Sequence, residues 1–235
     1  MAFLMLGLHE LGHLITGLAQ GFRFALFVFG PLGVKREEEK VKWYLNTNLG
    51  HYGGIAATTP INNDPANAQK IARILIAGPL TSLLGGIILV SLSAFLGAPW
   101  NTIIFSGGLV SLMLFLATTI PSKTGAFFTD RKRYQRLTRP GKAQQVELAT
   151  LRIMGQYAQD ESYQNVDPTD INILLEDEEP FMRYFGWFNR LYKQIEQGIE
   201  PPSEDWDNFR ETGKLLSKSM VTAMEKELEK ARKQG

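Results

Sequence analysis

Two histidines four residues apart, His9 and His13, bracket a glutamate in the stretch His9-Glu10-Leu11-Gly12-His13. On an α-helix, positions i and i+4 lie on one face, so both imidazoles can present a nitrogen to one metal ion. Glu10 stands beside the first of them, placed to take a proton from a water at that metal rather than to bind the metal itself. The segment around the motif begins MAFLMLGL and is otherwise apolar. Two imidazoles and a carboxylate are costly in such surroundings, and a divalent cation satisfies all three at once. The competing reading is a pair of hydrogen-bonded core histidines.

A catalytic metal of this kind takes three protein ligands and keeps one position open. The chain has no Cys, which excludes disulfides and thiolate sites and leaves His, Asp or Glu for the third ligand. His51 follows Gly50 in a Gly-rich turn, where a surface or structural role is expected. Among the acids Asp130 stands out, in IPSKTGAFFTDRKR, just after the last long apolar run. Its alternative role is to start a helix or to pair with Arg131 and Lys132. Asp64, in NNDPAN, is the competing ligand, although its Asn and Pro neighbours read as a turn.

The elements that hold these groups follow from hydropathy. The chain has 235 residues and a formal net charge of +1, without the basic excess of a nucleic-acid binder. Its near-zero mean hydropathy averages two unlike parts. Up to about Pro121 long apolar runs dominate; beyond it the sequence is charged and helix-forming. Three runs have the length of a membrane span: residues 1 to about 20, Ile74 to Leu96, and Thr102 to Pro121. The first shows neither the basic flank nor the small-residue cleavage site of a signal peptide, so it is expected to stay as a helix. The second carries AGPLTSLLGG, whose Ala77, Gly78, Gly85 and Gly86 allow a close helix approach, with Pro79 as a point of kinking. The uncharged GAPWN joins the second and third spans into an antiparallel hairpin.

Between the first two spans, residues 22 to 70 change period to short strands with Gly and Pro turns, which predicts a small sheet or hairpin against the membrane face. The run Lys35-Arg36-Glu37-Glu38-Glu39-Lys40 reads as a solvated turn within it. Lys35, Arg36, Lys40, Lys42 and Lys70 lie in this loop; Lys123, Arg131, Lys132, Arg133, Arg136 and Arg139 follow the third span. Three crossings put both basic segments on one side, and the positive-inside rule makes that side cytoplasmic.

From about Gly141 the chain reads as soluble amphipathic helices, with starts at Asp167-Pro168 and Pro201-Pro202-Ser203, a stop at Gly198, and a last helix through KLLSKSMVTAMEKELEKARKQ. Paired helices of this kind suggest tetratricopeptide-like hairpins, without a clean 34-residue repeat. The stripe Phe181, Tyr184, Phe185, Trp187, Phe188, Tyr192 is expected in the core, and its unused face is open to a protein partner. The expected fold is therefore mainly α: a polytopic membrane protein with three core transmembrane helices, a small membrane-associated β hairpin or sheet, and an α-helical cytoplasmic C-terminal domain. Residues 1–135 form the first domain and 136–235 the second.

HELGH in a first core span, FGPLGVKR and a Gly-Gly strand after it, AGPLTSLLGG in the second span and an Asp after the third together resemble the site-2 protease family of intramembrane zinc metalloproteases. The resemblance covers roughly residues 1 to 135, in the minimal form without a PDZ domain and with an added helical tail. It implies Zn2+ bound by His9, His13 and Asp130, Glu10 as the base, and hydrolysis of a peptide bond in or near the bilayer. It also implies that a membrane-protein substrate is held as an added strand within residues 24 to 57. Arg131 follows Asp130 where the family usually has Gly, Ser82 stands where many relatives carry Asn, and Thr118 and Thr119 replace an Asn-Pro-type approach. A non-catalytic member of the fold, binding or chaperoning through its helical tail, is the alternative function. A soluble protease is excluded, because the two uncharged runs would expose too much apolar surface to water.

Overall fold

The computed structural model describes residues 1–37, 40–47, 52, 54–124 and 127–234. The chain is mainly helical and divides into two compact units. The first contains Met1–Thr59 and Gln69–Gln135; the second contains Pro60–Ala68 and Arg136–Gly235.

In the first unit, helix α1 runs from Ala2 to Ala19, α2 from Asn67 to Ser93 and α3 from Trp100 to Thr119. All three are long and apolar enough to cross a membrane. At 1.5 Å per residue they measure about 27, 40 and 30 Å, against a hydrocarbon core of about 30 Å. The pattern on α1 is inverted relative to a helix of a water-soluble core. Its buried positions are His9 and His13, with Met5, Leu14 and the small Gly7, Gly12 and Gly17. Phe3, Leu4, Leu11, Ile15 and Leu18 face outward and are exposed. Exposed Ile76, Leu80, Leu84, Ile87 and Ile88 on α2, and Phe105, Leu109, Met113 and Leu116 on α3, extend the same apolar coat. A coat of this extent suits lipid rather than water.

The helices approach where side chains are missing. A Cβ on Gly12 would collide with Thr81 and lie 2.9 Å from the Ala77 carbonyl oxygen. One on Gly108 would lie 2.9 Å from Val90 N and 3.0 Å from Gly86 O, so α2 and α3 cross nearly backbone to backbone. Helix α2 begins seven residues before the apolar run that predicts it. It takes in Lys70 and Arg73 because α1 ends against it: Gln20 Nε2 donates to Lys70 O at 3.1 Å. Pro79 is accommodated inside the helix.

The predicted sheet is a four-stranded antiparallel one: β1 (Arg23–Phe29), β2 (Leu32–Glu37), β3 (Lys40–Leu45) and β4 (Ile55–Thr59), in the order β3-β2-β1-β4. Val28, at its centre, is fully buried. The solvated turn expected at Lys35–Lys40 is shorter than predicted, and its Glu38 and Glu39 lie outside the described residues. Lys35, Arg36 and Glu37 belong to β2 and Lys40 to β3, because pairing continues to Glu37↔Lys40. Glu37 takes ion pairs from Lys35 and from Lys42, whose Nζ lies at 2.8 Å, so alternate charges lie on one exposed face. After α3, two short strands, β5 (Lys123–Thr124) and β6 (Phe127–Phe128), turn the chain back toward α1, and α4 (Asp130–Thr138) then leads out of the first unit.

The second unit is built from α5 (Lys142–Asp160), α6 (Pro168–Leu175), α7 (Pro180–Glu196), α8 (Ser203–Gly213) and α9 (Lys218–Gln234). Asp167 caps α6, accepting from Thr169 N at 2.8 Å, as its Asp-Pro signal predicts. Gly198 ends α7 in a left-handed conformation, φ +70°. The last helix starts later than its apolar pattern predicts, since Lys214 closes α8 and a turn intervenes. Tyr184 and Phe188 of the aromatic stripe are core residues, and Phe181, Phe185, Trp187 and Tyr192 are partly covered. Residues Pro60–Ala68 pack here because Gly155 of α5, lacking a side chain, admits the Asn62 backbone.

Candidate metal centre

The buried face of α1 brings His9 and His13 one above the other, their rings 4.9 Å apart and nearly perpendicular. Each imidazole is oriented by its second nitrogen. His13 Nδ1 donates to the Ile74 carbonyl oxygen at 2.6 Å. A carbonyl can only accept, so Nε2 is the nitrogen left to carry a lone pair. His9 Nδ1 lies 2.9 Å from Ser82 Oγ. Room for His13 comes from Gly78, where any Cβ would overlap the imidazole.

Asp130 reaches these rings from the far end of the unit. Thr129 fastens the returning chain to the end of α3: its N–H donates to Ser122 O at 3.1 Å, and its hydroxyl donates to Ile120 O at 3.0 Å. The next residue, Asp130, opens α4 and places Oδ2 3.2 Å from His9 Nε2 and 3.3 Å from His13 Nε2. The two Nε2 atoms are 3.3 Å apart.

Three electron-pair donors thus converge in a nearly equilateral triangle with no Lys or Arg among them. Ligands on a tetrahedral centre with bonds of about 2.0–2.1 Å are separated by about 3.3 Å, so the donor set fits a zinc-sized ion. Glu10, one position from His9, stays off the triangle and lies against the start of β4. The Ala56 backbone hydrogen-bonds to it, and a Cβ on Gly54, whose φ is +89°, would meet its Cγ at 2.8 Å. A glycine there serves both the left-handed backbone and the space for the carboxylate.

His9, His13 and Asp130 therefore meet as the sequence places them, with Glu10 beside them. Asp64 is a turn residue, its Oδ1 accepting from Ala66 N at 2.8 Å, and it belongs to the other unit. His51 lies outside the described residues. Sequence reasoning missed Thr129, which sets the approach of Asp130, and Ser82, which it noted only as a replacement for Asn. No curated protein and no solved structure matches the chain. The family model described as Peptidase family M50 matches residues 1–233, essentially the whole length, so the chain belongs to that family of membrane metalloproteases, the site-2 protease family.

Proposed function

We propose that this chain is a zinc-dependent intramembrane endopeptidase that hydrolyses a peptide bond of a membrane-associated protein within or beside the bilayer. The observation that carries the reading is the His9–His13–Asp130 triangle at mid-length of an apolar helix, with Glu10 next to it. His9, His13 and Asp130 would hold the ion, whose chemistry there is to lower the pKa of a water toward about 7 and to polarise the scissile carbonyl. Glu10 accepts a proton as the water oxygen bonds to the carbonyl carbon, and returns it to the amine as the C–N bond breaks.

A helical substrate has its backbone hydrogen bonds closed and must unwind before attack. Strand β4 is a sheet edge, paired on one side with β1, and its Ala56 already engages Glu10. An extended substrate added along that edge would run past the carboxylate. The Glu10→Gln protein should keep its zinc, fail to cleave a membrane-embedded reporter, and cross-link the uncleaved reporter from a photoreactive residue replacing Ala57. Turnover near the wild-type rate would end this mechanism.

The chain is read as a multi-pass cell-membrane protein with loop 22–70 and the C-terminal helical unit cytoplasmic. The basic residues flanking the first and third spans support that orientation. Reporters fused after Lys42 and at the C-terminus should read cytoplasmic, and one within GAPWN external; the reverse pattern would remove the three-crossing reading.

A further inference from the structure

Hydroxyls in apolar helices usually bond a carbonyl three or four residues back on their own helix. Ser93, Ser106, Thr118 and Thr119 do this, donating to Val90, Thr102, Leu114 and Phe115 oxygens. Ser82 and Ser111 depart from that habit. Each is 0 % exposed, and each makes a hydrogen bond across to another helix. Ser111 Oγ on α3 donates to the Ser82 carbonyl oxygen on α2 at 2.8 Å. Ser82 Oγ lies 2.9 Å from Nδ1 of His9 on α1, itself 3 % exposed. One polar chain thus links all three apolar helices and ends on a ring whose other nitrogen faces Asp130.

The two imidazoles are not held alike. His13 is fixed by a carbonyl, which leaves its tautomer no choice. His9 is held by a hydroxyl, which can donate or accept a hydrogen bond, so it supports a lone pair on Nε2 only when its oxygen is turned to accept from Nδ1–H. We propose that Ser82 is a positioning residue for the metal centre, acting through His9, and that Ser111 holds the backbone of Ser82 in place from α3. The proposal rests on the metal-binding reading of the triangle. Partners of this kind orient a ligand ring, and their loss typically weakens metal binding about 10–100-fold.

The test measures zinc affinity of the full chain in detergent by chelator competition, alongside thermal unfolding of the chelator-stripped protein. Ser82→Ala should weaken zinc binding about 10–100-fold with the metal-free midpoint unchanged. Ser82→Thr, which keeps the hydroxyl, should restore affinity, and Ser111→Ala should weaken it by less than Ser82→Ala. Wild-type affinity in Ser82→Ala would overturn the proposal. So would equal weakening in Ser82→Ala and Ser82→Thr together with a lowered metal-free midpoint, since that is the mark of packing alone. His9→Ala separates the two levels. If it loses zinc while Ser82→Ala does not, only the positioning role falls; if it keeps zinc, the metal-binding reading falls as well.

Discussion

Each unit of this chain buries a cluster of ionisable side chains, and the two clusters are built on opposite plans. In the helical unit Arg136 donates from Nε to Glu147 Oε1 at 2.9 Å and from Nη2 to Asp177 Oδ2 at 3.1 Å, with all three side chains largely covered. Burial alone would pull the guanidinium pKa down, but the two carboxylates outweigh it and hold it above its ordinary value. That cluster contains its own cation. In the other unit His9, His13 and Asp130 present three donors to one point with no basic Lys or Arg side chain among them, and Glu10 adds a second carboxylate nearby. A cluster that supplies its own counter-charge holds a fold together. One whose donors converge without a Lys or Arg between them is what the proposed metal-binding reading requires.

The largest way to break this contrast is to remove a corner of the triangle. Asp130→Ala should strip the protein of zinc and abolish cleavage, a bigger effect than the roughly 10–100-fold expected of an orienting partner. Asp64→Ala should leave both near wild type. Zinc stoichiometry in the two purified proteins decides the matter, and full occupancy in Asp130→Ala would sink the triangle as a binding site. A smaller effect sharpens the other half. Arg136→Met takes the guanidinium away from two buried carboxylates and should cost about 3–5 kcal/mol in urea unfolding, with zinc content untouched. Replacing Arg136, Glu147 and Asp177 together by apolar residues of similar volume should bring stability back to about the wild-type level or above it. A triple variant no better than Arg136→Met would show that the helical cluster does more than balance charge.

The sequence carries the parts of this site that depend on spacing along one helix. His9 and His13 share a face because four residues make about one turn, and the three apolar runs announce helices by length alone. Asp130 is legible as a helix start, being the first residue of α4, but that its carboxylate lies against both histidines depends on how the chain turns back after α3. Strand order is less legible, since β4 closes on β1 across the whole β2–β3 hairpin and that pairing is not written in either strand. The crosslinks by Ser82 and Ser111 are not legible at all, because a serine that bonds its own helix and one that bonds its neighbour share the same local pattern. Thr129 is hidden for a similar reason, being one hydroxyl among several near the end of α3 whose partner depends on where the chain turns.

The close crossing of α2 over α3 at Gly86 and Gly108 is the point about which any tilt between the two helices would turn. Ser82 lies about 6 Å along α2 from the crossing and Ser111 about 4.5 Å along α3, whereas the Gln69 end of α2 lies about 26 Å away. A rigid tilt of α2 about the two glycines therefore sweeps its Gln69 end about four times as far as it moves Ser82. Ile74, whose carbonyl oxygen holds His13, lies about 18 Å along α2 from the crossing, so the same tilt would displace the anchor of His13 about three times as far as that of His9.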